Sequence, residues 1–156
     1  MSLESVRAYL AEKAPDIRII ETAASSATVA LAAQAHGVEP ARIAKTLSLA
    51  VNGREFLVVA RGDARLDNRK FKAAFGGKPR LLDQEAVTAL TGHPVGGVCP
   101  FGLATPLPVY CDISLRAFDE VVPAAGSTTS AVRIDPLRLA ELVQAEWVDV
   151  CQDPAP

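Results

Sequence analysis

Thr46-Leu47-Ser48-Leu49-Ala50-Val51, then Asn52-Gly53-Arg54, then Glu55-Phe56-Leu57-Val58-Val59-Ala60 is the stretch whose reading decides the fold. The first run alternates, as a half-covered strand does. Asn-Gly is the preferred pair of a type I′ turn, because both central residues take positive φ. The returning run is rich in β-branched and aromatic residues. An antiparallel hairpin follows, with Lys45 immediately ahead of a buried strand.

Working outward, periodicity and punctuation supply the other elements. Upstream, Leu3, Val6 and Leu10 recur at helical spacing after Ser2, and residues 16–21 read as a strand. A helix over 27–35 would be capped by Ser25 or Ser26 and stopped by Gly37, with Pro40 opening a short turn toward Lys45. Downstream, helices are expected over 67–75, stopped by Gly76-Gly77, and from the Asp83 cap to residue 90, stopped by Gly92. Strands are expected over 109–113, 120–123, 130–134 and 147–150, with a helix opened by Asp135-Pro136 and running to residue 143. Residues 152–156 read as a frayed tail. Adjacent strands joined by short turns favour an α+β single domain over residues 1–156, with a mixed, mostly antiparallel curved sheet or barrel and packed helices.

Composition narrows the function. The 156 residues are 49% hydrophobic and 22% charged, a globular profile with enough chain for one core. No apolar run reaches the roughly 18 residues of a membrane span, and no basic-then-apolar leader opens the chain, so a cytoplasmic location is expected. Cys99, Cys111 and Cys151 are irregularly spaced, which suits reduced thiols, and no metal-ligand spacing appears. Net charge is −2, yet residues 61–80 hold seven basic residues against two acidic ones, while 111–156 hold three against eight. Such polarity can present one face to a phosphate backbone, although a solvated helix and loop has the same composition.

Three groups could carry chemistry. Lys45 could hold a phosphate or an oxyanion, or simply snorkel at the surface. Gly96-Gly97-Val98-Cys99-Pro100-Phe101-Gly102 is a stiff glycine–proline loop able to aim backbone groups at a carbonyl, or a plain structural bend. Gly126-Ser127-Thr128 opens a hydroxyl-rich loop that could bind a ribose, a phosphate or an amino group, or be an ordinary turn. Cys99 as a nucleophile would need His93 or His36 as its base; a buried small hydrophobe is the simpler reading.

Together, Ala27-Thr28-Val29-Ala30, Lys45-Thr46-Leu47, the Asn52-Gly53 hairpin, Leu66-Asp67-Asn68-Arg69-Lys70 and the Gly-x-x-Pro-x-Gly loop at 97–102 resemble the YbaK-like aminoacyl-tRNA editing domain family, which is related to the editing insertion of bacterial prolyl-tRNA synthetases. Gly126-Ser127 and Trp147-Val148-Asp149 agree more loosely. The resemblance implies a deacylase that hydrolyses the ester of a mischarged tRNA. The amino acid would be small, such as Cys, Ala or Ser, and the tRNA a proline tRNA. No cofactor, metal or protein nucleophile is implied. Lys45 would hold the terminal adenosine and its phosphate, and backbone at Gly97 and Gly102 would position the carbonyl. Thr46, Val98, Cys99, Pro100, Phe101, Gly126, Ser127 and Thr128 would line the substrate site. The tRNA's own ribose hydroxyl would assist the attacking water. Arg61, Arg65, Arg69, Lys70 and Lys72 are the candidates for the tRNA backbone. The implied partners are the acceptor end of aminoacyl-tRNA and a prolyl-tRNA synthetase. The alternative is a non-catalytic module that binds aminoacyl-tRNA or docks on a synthetase.

Overall fold

The computed structural model describes residues 2–153. Its centre is the hairpin of β2 (Ile43–Val51) and β3 (Arg54–Arg61), paired antiparallel from Ala44 opposite Arg61 to Val51 opposite Arg54. Asn52 and Gly53 both take positive φ, at 51° and 81°, which is the backbone a type I′ turn requires. Lys45 therefore lies inside the strand rather than ahead of it, because pairing begins at Ile43.

β3 is buried on both sides. Leu57 and Val59 join one core with Val6, Leu10, Phe101, Leu115 and Leu139. Phe56 and Val58 join a second with Leu49, Phe71, Phe75 and Val150. A strand covered on both faces can be apolar without alternation, which is why residues 56–60 form an unbroken hydrophobic run. The covering elements are helices α1 (Ser2–Lys13) and α5 (Pro136–Leu142) on one face, and α3 (Asn68–Phe75) on the other.

The sheet is mixed and open, not a barrel. From the hairpin it extends by parallel pairing to β5 (Val109–Asp112) and then β8 (Glu146–Val148). On the β2 side, β4 (Arg80–Leu81) pairs antiparallel with Leu49 and Ala50, and β6 (Val122–Pro123) pairs parallel with Ile43 and Ala44. β1 (Ile20–Glu21) and β7 (Ser130–Ala131) form a separate two-residue ladder. The mixed sheet with an antiparallel centre was expected; β4 was not.

Expected strands over 16–21 and 130–134 shrink to these two pairs, and Ile17 and Ile19 reach the core from irregular chain. α2 (Val29–His36) ends at Gly37 and α4 (Gln84–Thr91) at Gly92, both glycines being left-handed. The start of the expected frayed tail is held: the Gln152 amide donates to Arg65 O at 2.8 Å, and Lys70 pairs with Asp153 at 2.9 Å. Residues 154–156 lie outside the described residues.

Candidate functional site

β6 stops opposite Ala44 and β4 reaches only as far as Leu49, so the edge of β2 between them has no described strand beside it. A cleft of about 110 Å³ opens there. Its walls come from the start of α2 (Ala27, Thr28, Val29), from Lys45 and Thr46, and from Gly96 and Val98, with Ser130 beyond. A cavity of ~150 Å³ accommodates benzene, so this space suits a small side chain and its backbone, with any nucleoside left outside.

Thr46 is the least satisfied residue in the cleft. Its Oγ1 is buried without a hydrogen-bond partner. Its peptide groups point away from β3. Leu82 N donates to Ser48 O at 3.0 Å across the β4 side, and residues two apart in a strand direct their N–H and C=O to the same edge. The Thr46 N–H and C=O therefore leave β2 into the gap, where no described strand pairs with them. Buried polar groups are almost always partnered in folded proteins, so the unpartnered hydroxyl, beside an open strand edge in a cleft, marks Thr46 as a candidate site residue.

Lys45 leaves the strand on the opposite face from Thr46. Its Nζ donates to the Ala64 carbonyl, which follows β3. Burial draws the ammonium below its ordinary value, and neighbouring Asp63 opposes that shift. One carbonyl occupies one of three N–H donors. The N-terminal turn of α2, capped by the Thr28 hydroxyl accepting from Leu31 N at 3.2 Å, adds a positive end to the cleft wall.

The glycine loop divides into a site half and a core half. Gly96 and Val98 line the cleft, and neither amide has an acceptor among the described residues. The Gly97 amide, by contrast, donates to Pro94 O at 2.8 Å, and its carbonyl accepts from Gly126 N at 3.0 Å. A Cβ at Gly97 would stand 2.6 Å from Ser127 N, so this glycine lets two loops touch. Gly126, Ser127 and Thr128 thus back the turn: Ser127 Oγ meets Ser130 Oγ at 2.6 Å, and Thr128 O accepts from Ser26 N and Oγ.

Cys99, Pro100 and Phe101 are buried. Gly102, at φ +59°, passes beneath α1, where a Cβ would come within 2.6 Å of Ser5 O. His93 is fully buried. Its Nε2–H donates to Phe101 O at 2.7 Å, and its Nδ1 lies 2.7 Å from the Ser2 hydroxyl, which also donates to the Gly126 carbonyl. Cys99 Sγ lies 3.6 Å from Nε2, but complete burial pushes the thiol up to about 12. It is a core thiol beside a structural histidine, not a nucleophile and its base.

The basic stretch is partly neutralised before any ligand arrives. Arg61 grips Asp63 at 2.6 and 3.0 Å, and Lys70 bridges Asp149 and Asp153. Arg65, Arg69 and Lys72 are exposed and form no ion pair among the described residues. Residue-by-residue reading had Gly96 in the candidate loop but missed the α2 wall as a source of site residues, although Thr28 ahead of an apolar helical run carried a helix-start signal.

A family model described as the aminoacyl-tRNA editing domain matches residues 23–142. The uncharacterized protein YwhH of Bacillus subtilis is 46% identical over 155 residues, which is 98% of this chain and 99% of YwhH. The proline--tRNA ligase of Solidesulfovibrio magneticus is 39% identical over 109 residues, 68% of this chain but 19% of the ligase. A crystal structure described as that of a candidate trans-editing enzyme for prolyl tRNA synthetase superimposes with a TM-score of 0.89 at 34% identity, covering 97% of this chain and 98% of that one. The family match takes in α2, β2 and the glycine turn, the three elements that wall the cleft, and the chain belongs to the aminoacyl-tRNA editing domain family.

Proposed function

We propose that the protein is a freestanding deacylase that hydrolyses the ester between a small amino acid, such as Cys, Ala or Ser, and the 3′ end of a proline tRNA. It works in the cytoplasm, in trans to a prolyl-tRNA synthetase. One observation carries the reading: a small cleft bounded by open backbone groups, an unpartnered hydroxyl and a positive helix end, beside a lysine with donors to spare. Such a site suits positioning and oxyanion stabilisation. Water adds to the ester carbonyl, and the Gly96 and Val98 amides face the developing oxyanion. The bond to the ribose oxygen then breaks, that oxygen takes a proton, and the neighbouring ribose hydroxyl assists. Lys45 receives the phosphate of the terminal nucleotide at the rim. Arg65, Arg69 and Lys72 meet phosphates further along the acceptor stem.

A panel of mischarged tRNAs tests this. Ester hydrolysis above background is expected for at least one small amino acid, and Lys45→Ala should lose about 100-fold in rate while remaining folded. Salt-sensitive tRNA binding with no turnover on any substrate would instead favour the binding-module reading, which the unpaired Arg65, Arg69 and Lys72 support.

A further inference from the structure

We propose that Ser2 and His93, which lie outside the cleft, are positioning residues that hold the glycine turn so that the Val98 amide points into it. The inference rests on the deacylase reading and deepens it.

His93 closes the loop at its base. Its amide donates to Thr91 Oγ1 at 3.0 Å, and that hydroxyl donates to Val87 O at 2.7 Å, so the last turn of α4 holds the histidine backbone. The fully buried ring then spans residues 94–100 to reach Phe101 O through Nε2–H at 2.7 Å. The other ring nitrogen leads to the middle of the loop. Nδ1 lies 2.7 Å from Ser2 Oγ, the Ser2 hydroxyl donates to the Gly126 carbonyl, and the Gly126 amide donates to Gly97 O at 3.0 Å.

The last link sets a direction. The Gly97 carbonyl and the Val98 N–H belong to one planar trans peptide and point to opposite sides of the chain. Drawing Gly97 O toward Gly126 therefore turns the Val98 N–H the other way, and that amide has no acceptor among the described residues. There is little slack in the chain of contacts. A Cβ on Gly126, at φ +90°, would lie 2.8 Å from Ser2 O, so the first turn of α1 rests directly on the loop that holds Gly97. Buried hydrogen-bond networks of this kind rigidify what they join. The arrangement also accounts for a buried imidazole that takes no part in the chemistry.

Ser2 is the residue to change, because it is only partly buried and its hydroxyl is the joint between His93 and Gly126. The substrate is the mischarged proline tRNA that the panel shows to be hydrolysed fastest. Ser2→Ala should lower kcat by about 10- to 100-fold with KM within about twofold, since a donor to the oxyanion acts in the transition state and not in the ground state. Ser2→Thr, which keeps the hydroxyl, should return kcat to the native value. An unchanged kcat, a loss confined to KM, or a threonine variant no better than the alanine one overturns the inference.

A second measurement needs no turnover. In the protein without ligand, Ser2→Ala should shift the His93 Nδ1 resonance and the Gly97 and Val98 amide resonances, while the amides of α3 stay in place. Ser2→Thr should leave Val98 close to its native position. If the native protein hydrolyses no tRNA but these selective shifts are seen, the positioning stands and the deacylase reading falls. If the Val98 amide does not move, or if α3 moves as much, the positioning is overturned.

Discussion

A buried hydroxyl without a partner is a standing cost, and Thr46 carries it at the edge of the cleft. Removing a buried group that has no hydrogen bond relieves desolvation without losing an interaction. Thr46→Val should thus raise the free energy of unfolding by about 1 kcal/mol, read by urea denaturation without ligand. An unchanged or lowered stability would mean that the hydroxyl is partnered in solution. Gly97 makes the opposite case. Its missing side chain lets the turn lie against the Ser127 backbone, and a Cβ there would be 2.6 Å from N and 2.8 Å from both Cα and C. Backbone on that side cannot swing away as a flexible side chain could. Gly97→Ala should cost about 2–3 kcal/mol, and the two loops should lose amide protection together. Cys99 is a third residue-scale case. A thiol held at about 12 stays protonated at pH 8, so the native protein should resist iodoacetamide there while the unfolded chain is alkylated.

At the scale of elements, α2 links cap chemistry to the site, because its first turn is a wall of the cleft. The Thr28 hydroxyl satisfies Leu31 N, and replacing such a cap by alanine costs about 1 kcal/mol. Thr28→Ala should lower stability by that amount and speed amide exchange through the first turn of α2, leaving α3 and α4 protected. The same helix shows where local sequence suffices. Gly37, Gly76 and Gly92 end their helices in the left-handed region, and each stop was readable because glycine adopts that backbone at no steric cost. Asp83 was readable as a cap for the same local reason, whereas Asp67, read as the first helical residue, is the cap of α3. The α2 cap was misplaced, to Ser25 or Ser26 instead of Thr28. Ser26 is drawn off by Thr128, about a hundred positions away, and a single sequence does not display that partner. β1, β4 and β7 are two residues each and are defined by the chain opposite, not by an alternation of their own.

For the whole molecule, what was hardest to read is what the fold gathers from a distance. Lys45 and the glycine loop stood out as types, but the open edge at Thr46 exists only because β4 and β6 leave a gap between them. The division of residues 96–102 into a cleft-lining half and a core half depends on α1 crossing over Gly102. A global property follows from the same burial. The chain has two histidines, and both lie inside, His36 at 7% exposure and His93 at 0%. Burial lowers both below the ordinary value of 6.5, with Arg133 adding to the effect at His36. Each therefore refuses a proton that the unfolded chain accepts, so the unfolded state binds more protons as pH falls below about 6.5. Stability should be level above that pH and should decline from it downward until the folded-state values are reached. The slope is at most about 1.4 kcal/mol per pH unit for each histidine. His36 leaves Nε2 without a partner, whereas both nitrogens of His93 are bonded. His36→Leu should accordingly remove part of the decline while the His93 contribution persists. Melting temperatures from pH 8 to pH 5 for the native protein and this variant measure both quantities. A native melting temperature that stays flat across that range, or imidazole resonances that titrate at 6.5 in the folded state, would contradict the burial of the two side chains.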